Sequence, residues 1–214
     1  MRPVTVTAGP LTAATANNIA LSQTPGAAGP ITLNGALVVG GIAVIGNAQR
    51  ITLTTTDSTH TAVITGTDWA GSPITETVAF NGTAVTSVLS YKTVTSIVVN
   101  AALTAALTVG TSGIGTTPWV RLDDYALGQV AIQVDATGTV NYTIQSSLDD
   151  PNSPTNPVLP QNMVWVATSD TAGVGATGSI QTNFAYAPTW VRALLNSGTG
   201  SISMTVLQLG VAPY

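Results

Sequence analysis

At 214 residues, with 7% charged side chains, no Cys, one His and a net charge of −4, the chain can form one large or two ordinary β domains but lacks several kinds of chemistry. Five Lys and Arg against nine Asp and Glu leave no electrostatic footprint for DNA or RNA, so no nucleic acid is expected as a partner. Without Cys there are no disulfides, thiolate catalysis or Cys-ligated zinc, and one His cannot build a His-rich metal site; no cofactor is expected.

Mean hydropathy is +0.38, which raises the question of a membrane. The most apolar run, residues 36–45 (ALVVGGIAVI), is broken by a Gly pair and is half the roughly 20 residues that a membrane-spanning helix needs. No membrane partner is expected. Arg2 is followed by PVTVT where a secretory signal needs a long apolar core, so no export signal is expected either.

Residues 1–30 differ from the rest: Gly9-Pro10, Pro25-Gly26 and Gly29-Pro30 punctuate a stretch of small side chains. They read as an extended N-terminal arm, in which Val4, Thr5, Val6 and Thr7 add as a strand to a neighbour and Ile19 and Leu21 supply apolar contacts. The alternative is a first strand at 4–7 followed by a loop tucked on the body. From residue 31 the pattern turns to short strands at 31–33, 36–39, 42–45 and 51–56, separated by Asn34-Gly35, Gly40-Gly41 and Asp57-Ser58-Thr59. The stretch 61–99 organises this part, with period-2 alternation at 63–67, 74–80 and 94–99. Residues 68–73 (DWAGSP) read as the first hairpin connection and Asn81-Gly82 as the second, giving a β-meander. Residues 100–107 (NAALTAAL) could compete as a helix, but they are short, have no polar face and run into Thr108-Val109, so a turn and a strand are expected.

Residues 111–118 (TSGIGTTP) read as a flexible boundary between two β domains, 31–114 and 115–214. Strands of the second domain are expected at 119–123, 129–134, 140–146, 163–167, 179–184, 190–195 and 201–209, with hairpin turns at 135–139 and 196–200. Residues 149–160 (DDPNSPTNPVLP) hold four Pro and read as a surface excursion. The similar stretches PWVR (118–121) and TWVR (189–192) read as a packing device, Trp inward and Arg outward. The fold class is all-β: two β-sandwich, jelly-roll-like domains preceded by the arm.

Catalytic readings find little support in these residues. GTSGIG (110–115) resembles a dinucleotide loop, but its glycine spacing is wrong and no βαβ unit surrounds it. His60 lies in a polar turn with no G-x-S-x-G elbow to present a nucleophile. Asp149, Asp150 and Asn152 carry oxygen ligands without EF-hand spacing, so a solvated loop with Asx turns is preferred to a Ca²⁺ site. Asp68 and Glu76 could face each other across a hairpin, yet read as exposed strand-end acids. The chain is expected not to be an enzyme, with no catalytic, cofactor or metal residue.

In the order IALSQTP (19–25), LNGALV (33–38), Arg50 before a Thr-rich strand, GTDWAGSPITETV (66–78), KTVTSIVV (92–99), TVGTSG (108–113), PWVRLD (118–123), GTVNYTIQSSLDDP (138–151) and SGTGSISMTVLQLG (197–210), the chain resembles a group of tailed-bacteriophage and prophage virion proteins. The resemblance covers nearly the whole chain and rests on the ordered series, since each piece alone is a strand with its turn. It implies a structural protein of the virion, a capsid decoration or cement protein made in the host bacterial cytoplasm and placed on the capsid surface. Its expected partners are the major capsid protein and neighbouring copies of itself, as a dimer or trimer. The alternative is a tail- or fibre-associated β-sandwich binding host-surface carbohydrate, with Trp69, Trp165 or Tyr142 stacking on sugars.

Overall fold

The computed structural model describes residues 3–122 and 130–208. Met1 and Arg2 of the expected arm, Asp123, Gln129 and Leu209 of the expected strands, and Gly210 at the end of the resembling series lie outside them. The chain is all-β, with 53% strand and 3% helix.

In chain order the strands are β1 (Val4–Ala8), β2 (Ala20–Gln23), β3 (Gly29–Pro30), β4 (Val38–Val39), β5 (Ile42–Thr54), β6 (Thr61–Thr67), β7 (Pro73–Ala79), β8 (Ala84–Thr86) and β9 (Tyr91–Val99). There follow β10 (Leu107–Thr116), β11 (Val120–Arg121), β12 (Val130–Thr137), β13 (Val140–Ser147), β14 (Val166–Ala167), β15 (Ile180–Phe184), β16 (Trp190–Gly198) and β17 (Ser201–Gln208). Two single 3-10 turns, Pro160–Asn162 and Thr171–Gly173, are the helical elements of the described residues. The chain divides into a continuous unit, Thr12–Ile114, and a discontinuous unit, Met1–Leu11 with Gly115–Tyr214.

The discontinuous unit is built by strict alternation. In β12, Val130, Ile132 and Val134 are buried while Ala131, Gln133 and Asp135 are exposed; in β17, Ile202, Met204 and Val206 are buried. Period-2 side-chain direction puts each set on one face. One antiparallel sheet has the order β1-β17-β12-β15, and a second contains β14-β13-β16 with β11 on β16. Val140, Tyr142 and Ile144 of β13 and Val191, Ala193 and Leu195 of β16 join the buried set from the first sheet in one core cluster. Fully burying each large aliphatic side chain contributes about 1.5–3 kcal/mol, so this shared core fixes the register of both sheets.

The turns at 135–139 and 196–200 are not hairpins. β12 pairs with β17 up to Thr137↔Ser201, and beyond the turns β13 pairs with β16 from Val140↔Gly198. Each turn therefore carries its chain from one sheet to the other, and two paired strands fold over together. A one-residue shift between Asn141 and Tyr142 marks a bulge beside this corner, where such irregularities bend a paired ribbon.

In the continuous unit β6 lies between β9 and β7, while the long β5 pairs with β4 and β9 near its start and β8 near its end. Ile45, Ile51, Leu53, Ile64, Ile97, Leu107 and the fully buried Tyr91 form its core. Residues 68–72 connect β6 to β7 as a tight turn, with Gly71 at φ +86°. The expected meander is corrected at its second turn: after Asn81-Gly82 the chain leaves β7 and β8 pairs with β5. Alternation gave each strand its inward face but did not choose its partner.

The extended arm is corrected as well. β1 pairs with β17 of its own chain from Val4↔Val206 to Ala8↔Ile202, and β2 and β3 pair with β10 and β9. Ala8, Ile19 and Ala20 are buried, and Ile19 and Ala20 belong to one core cluster and Ala8 to the other, so this segment packs against its own chain. The flexible boundary at 111–118 is likewise mostly strand: β10 runs to Thr116, and Thr111, Thr116 and Thr117 are buried. Immediately before it, a small residue serves close approach. A Cβ on Gly110 would lie 1.6 Å from the Thr15 carbonyl oxygen, a spacing no side chain permits.

Candidate interaction surfaces

The acids singled out in the sequence are committed to backbone capping. Asp68 is buried, and its Oδ1 accepts from the Ala70 and Ser72 backbone N–H groups at 2.8 and 2.9 Å, closing the 68–72 turn; burial raises its pKa against the pull of those bonds. Glu76 accepts from the Val88 and Leu89 N–H groups at 2.7 and 2.9 Å. It is not an exposed strand-end acid. In β7 it shares the inward side with buried Ile74 and Val78, and the half-buried Arg50, its pKa lowered by desolvation, is held up by the Glu76 charge. Asp68 and Glu76 do not face each other: Glu76 is opposite Ile64 in the β6–β7 ladder, whereas Asp68 caps the turn.

Asp149 and Asp150 do not converge on a common point either. Asp149 Oδ2 accepts from Val164 N, Asp150 Oδ1 accepts from Asn152 N, and Asp150 Oδ2 meets Arg121 at 3.2 Å. A guanidinium already occupies the place a cation would take. Among the described residues no group of three or more His, Cys, Asp or Glu could hold a metal ion.

His60 belongs to a knot that the sequence reading missed. Its Nδ1 lies 2.8 Å from Oδ2 of the buried Asp57, which also accepts from Thr59 N, His60 N, Thr104 N and Thr104 Oγ1. The Thr59 backbone bond, with those from His60 and Thr104, holds the Asp57 carboxyl well below the usual carboxylate range. The signal was present as the Asx-turn pattern D-S-T-H, but Thr104 is brought in only by the fold. Imidazole and carboxylate here fasten a turn, and the Thr59 hydroxyl, 3.3 Å from His60 Nδ1, belongs to the same knot.

Of the residues expected to contact a partner, Val4, Thr5, Val6 and Thr7 lie in the first sheet of the discontinuous unit, Ile19 is fully buried and Leu21 is 45% exposed. Tyr142, expected on the alternative reading to stack on sugars, is fully buried, its hydroxyl donates to Gly178 O at 2.8 Å, and burial pushes its pKa up to about 12. Trp69 is partly buried in the 68–72 turn.

The two Trp-Val-Arg stretches pair with each other, Val120 opposite Val191 and Arg121 opposite Trp190. The expected arrangement, Trp inward and Arg outward, is reversed for Trp: the valines are in the core. In a strand, positions i and i+2 share a face, so Trp and Arg must lie together. On that face Trp119 lies 6.1 Å from Trp190 and 5.0 Å from Trp165, and the Arg192 guanidinium carbon is 3.9 Å from the Trp165 ring centroid. Gln145, opposite Arg192 in the ladder, accepts from its Nε at 2.9 Å and fixes the stack. Next to it in sequence, Leu148, Leu159, Val164 and Val166 are 57–72% exposed.

The continuous unit has an apolar surface of its own at the β4–β5 hairpin, where Val39 is 74%, Ile42 40% and Val44 50% exposed. Lys92 Nζ is bound to the Gly46 carbonyl beside it. No charged side chain occurs in the sequence from Pro3 to Gln49.

Comparison with protein-family models, with curated proteins and with solved structures finds no match to this chain.

Proposed function

We propose that this is a structural protein of a tailed-bacteriophage particle, a decoration or cement protein that binds and stabilises the capsid surface through non-covalent contacts with the major capsid protein and with copies of itself. The carrying observation is the β4–β5 hairpin, which holds Val39, Ile42 and Val44 out to solvent within a 47-residue stretch free of charge. Exposed apolar groups clustered on one hairpin suit a surface that a neighbour covers. The ordered resemblance to virion proteins supports the same reading, as do acids spent on capping rather than gathered into a site. Both units are read as jelly-roll-like sandwiches; in the discontinuous unit, the folding over of β12/β17 into β13/β16 supports this, because a jelly roll is a long antiparallel ribbon rolled up.

With the first strand paired inside its own chain, attachment is assigned to the hairpin rather than to strand addition by an arm. The test is binding of purified protein to capsids assembled without it. Wild type is expected to bind with little change between roughly 0.05 and 0.5 M NaCl, since ion pairs are not the glue. Val39→Asp with Val44→Asp should abolish binding while leaving the unfolding midpoint in place. Capsids that take up wild type and double variant equally would overturn this reading.

A further inference from the structure

The outer face of the sheet β1-β17-β12-β15 carries a hollow of about 500 Å³ whose origin lies in one small residue. Ala131 stands in its row between Asn183 of β15 and Leu207 of β17, both larger, so the row is deep at its centre. Leu207 and Pro3 give the hollow an apolar side, and Gln181, Asn183 and Thr205 give it a polar one.

Those polar groups have a set direction. Asp135 accepts from Gln133 Nε2 at 3.0 and 3.2 Å, and Gln133 Oε1 in turn accepts from Gln181 Nε2 at 3.1 Å. The carboxylate thus orients both amides and leaves the Gln181 Oε1 acceptor outward. Asn183 is exposed with its amide turned to no hydrogen-bond partner among the described residues, and Thr205 Oγ1 is held at 2.8 Å by Thr5 Oγ1. Donors and acceptors therefore stand side by side next to an apolar strip, and Asp135, the one charge at the rim among the described residues, is negative.

We infer that this hollow is a binding site for neutral glycans. A sugar hydroxyl is donor and acceptor at once, so a pair of them matches a carboxamide edge, while the C–H face of a pyranose covers Ala131, Leu207 and Pro3. Anionic sugars are disfavoured by Asp135, and among the described residues no cation lines the hollow to receive them. The site shares no residue with the tryptophan face or with the hairpin proposed to bind the capsid, so it stands or falls independently of the proposed function.

The experiment applies the full-length protein to a printed array of neutral and anionic oligosaccharides. Neutral glycans should be retained, with no loss between roughly 0.05 and 0.5 M NaCl because no ion pair is involved. Gln181→Ala with Asn183→Ala should weaken retention at least about tenfold, the cost of one to two lost hydrogen bonds. Ala131→Leu should abolish it by filling the hollow. All three positions are exposed, so unfolding midpoints should not move. Retention of no neutral glycan, retention of anionic glycans alone, or undiminished binding by Ala131→Leu would each overturn the assignment.

Discussion

Replacing Gly110 by Ala is the sharpest test of how residues 12–20 are held. The new Cβ would fall 1.6 Å from Thr15 O and 2.7 Å from Thr15 C, so backbone must move rather than a flexible side chain. The displaced segment is tied by Thr15 N to Thr111 O at 3.0 Å, Ile19 N to Val109 O at 3.0 Å, Thr111 N to Asn18 Oδ1 at 2.9 Å, Asn18 Nδ2 to Thr111 Oγ1 at 2.8 Å and Thr111 Oγ1 to Ala13 O at 2.9 Å. Losing two or three of these at about 1 kcal/mol each, with about 1–3 kcal/mol for overpacking, gives a destabilisation of about 3–6 kcal/mol. Gly26→Ala is the control: nothing lies within 4 Å of its Cβ and its φ is not in the left-handed region, so it should change stability by less than about 0.5 kcal/mol. Urea unfolding of both variants by circular dichroism measures the difference. A Gly110→Ala loss below about 1 kcal/mol would refute the close-approach account and restore the flexible-linker reading.

Gln49 is fully buried and, with its amide oriented to satisfy both partners, donates to Thr12 O at 3.1 Å and accepts from Thr12 N at 2.8 Å; Gln49→Leu should cost about 1–3 kcal/mol in the same assay. Acid stability should depend on Asp57. Its folded-state pKa lies below the unfolded value of about 3.9, so its contribution is present above that value and is lost as pH falls through and below it. Asp57→Asn should therefore flatten the loss of stability below about pH 4. Asp68, with its pKa raised in the fold, works in the opposite sense, and Asp68→Asn should steepen the same curve; denaturant midpoints measured from pH 2 to 7 check both.

Strands such as β12 and β17 were legible because each alternates without interruption between a core and a solvent face. Pairing was less legible. Alternation reports which side chains go inward but not which strand lies alongside, so β8 pairing with β5 and the sheet-to-sheet passage at 135–139 were not visible. The Trp-Val-Arg stretches had the information in them, since positions two apart share a face; valine took the core and left Trp beside Arg. Gly110 and Asp57 depended on residues distant in the chain, Thr15 and Thr104, and composition pointed the wrong way for the first by suggesting flexibility. Three cross-strand Thr hydroxyl pairs, Thr5–Thr205, Thr52–Thr86 and Thr67–Thr93, show what the Thr-rich composition does: hydroxyls bonded across the ladder stand on strands where charged side chains are more usual.

The central claim, a structural protein on the capsid, is tested most directly by a cryo-electron microscopy reconstruction of the particle. The account predicts density for this chain repeated over the capsid lattice, with the β4–β5 hairpin and its Val39, Ile42 and Val44 against the major capsid protein. Density confined to a single vertex or to the tail, or a hairpin left pointing into solvent on every copy, would contradict it.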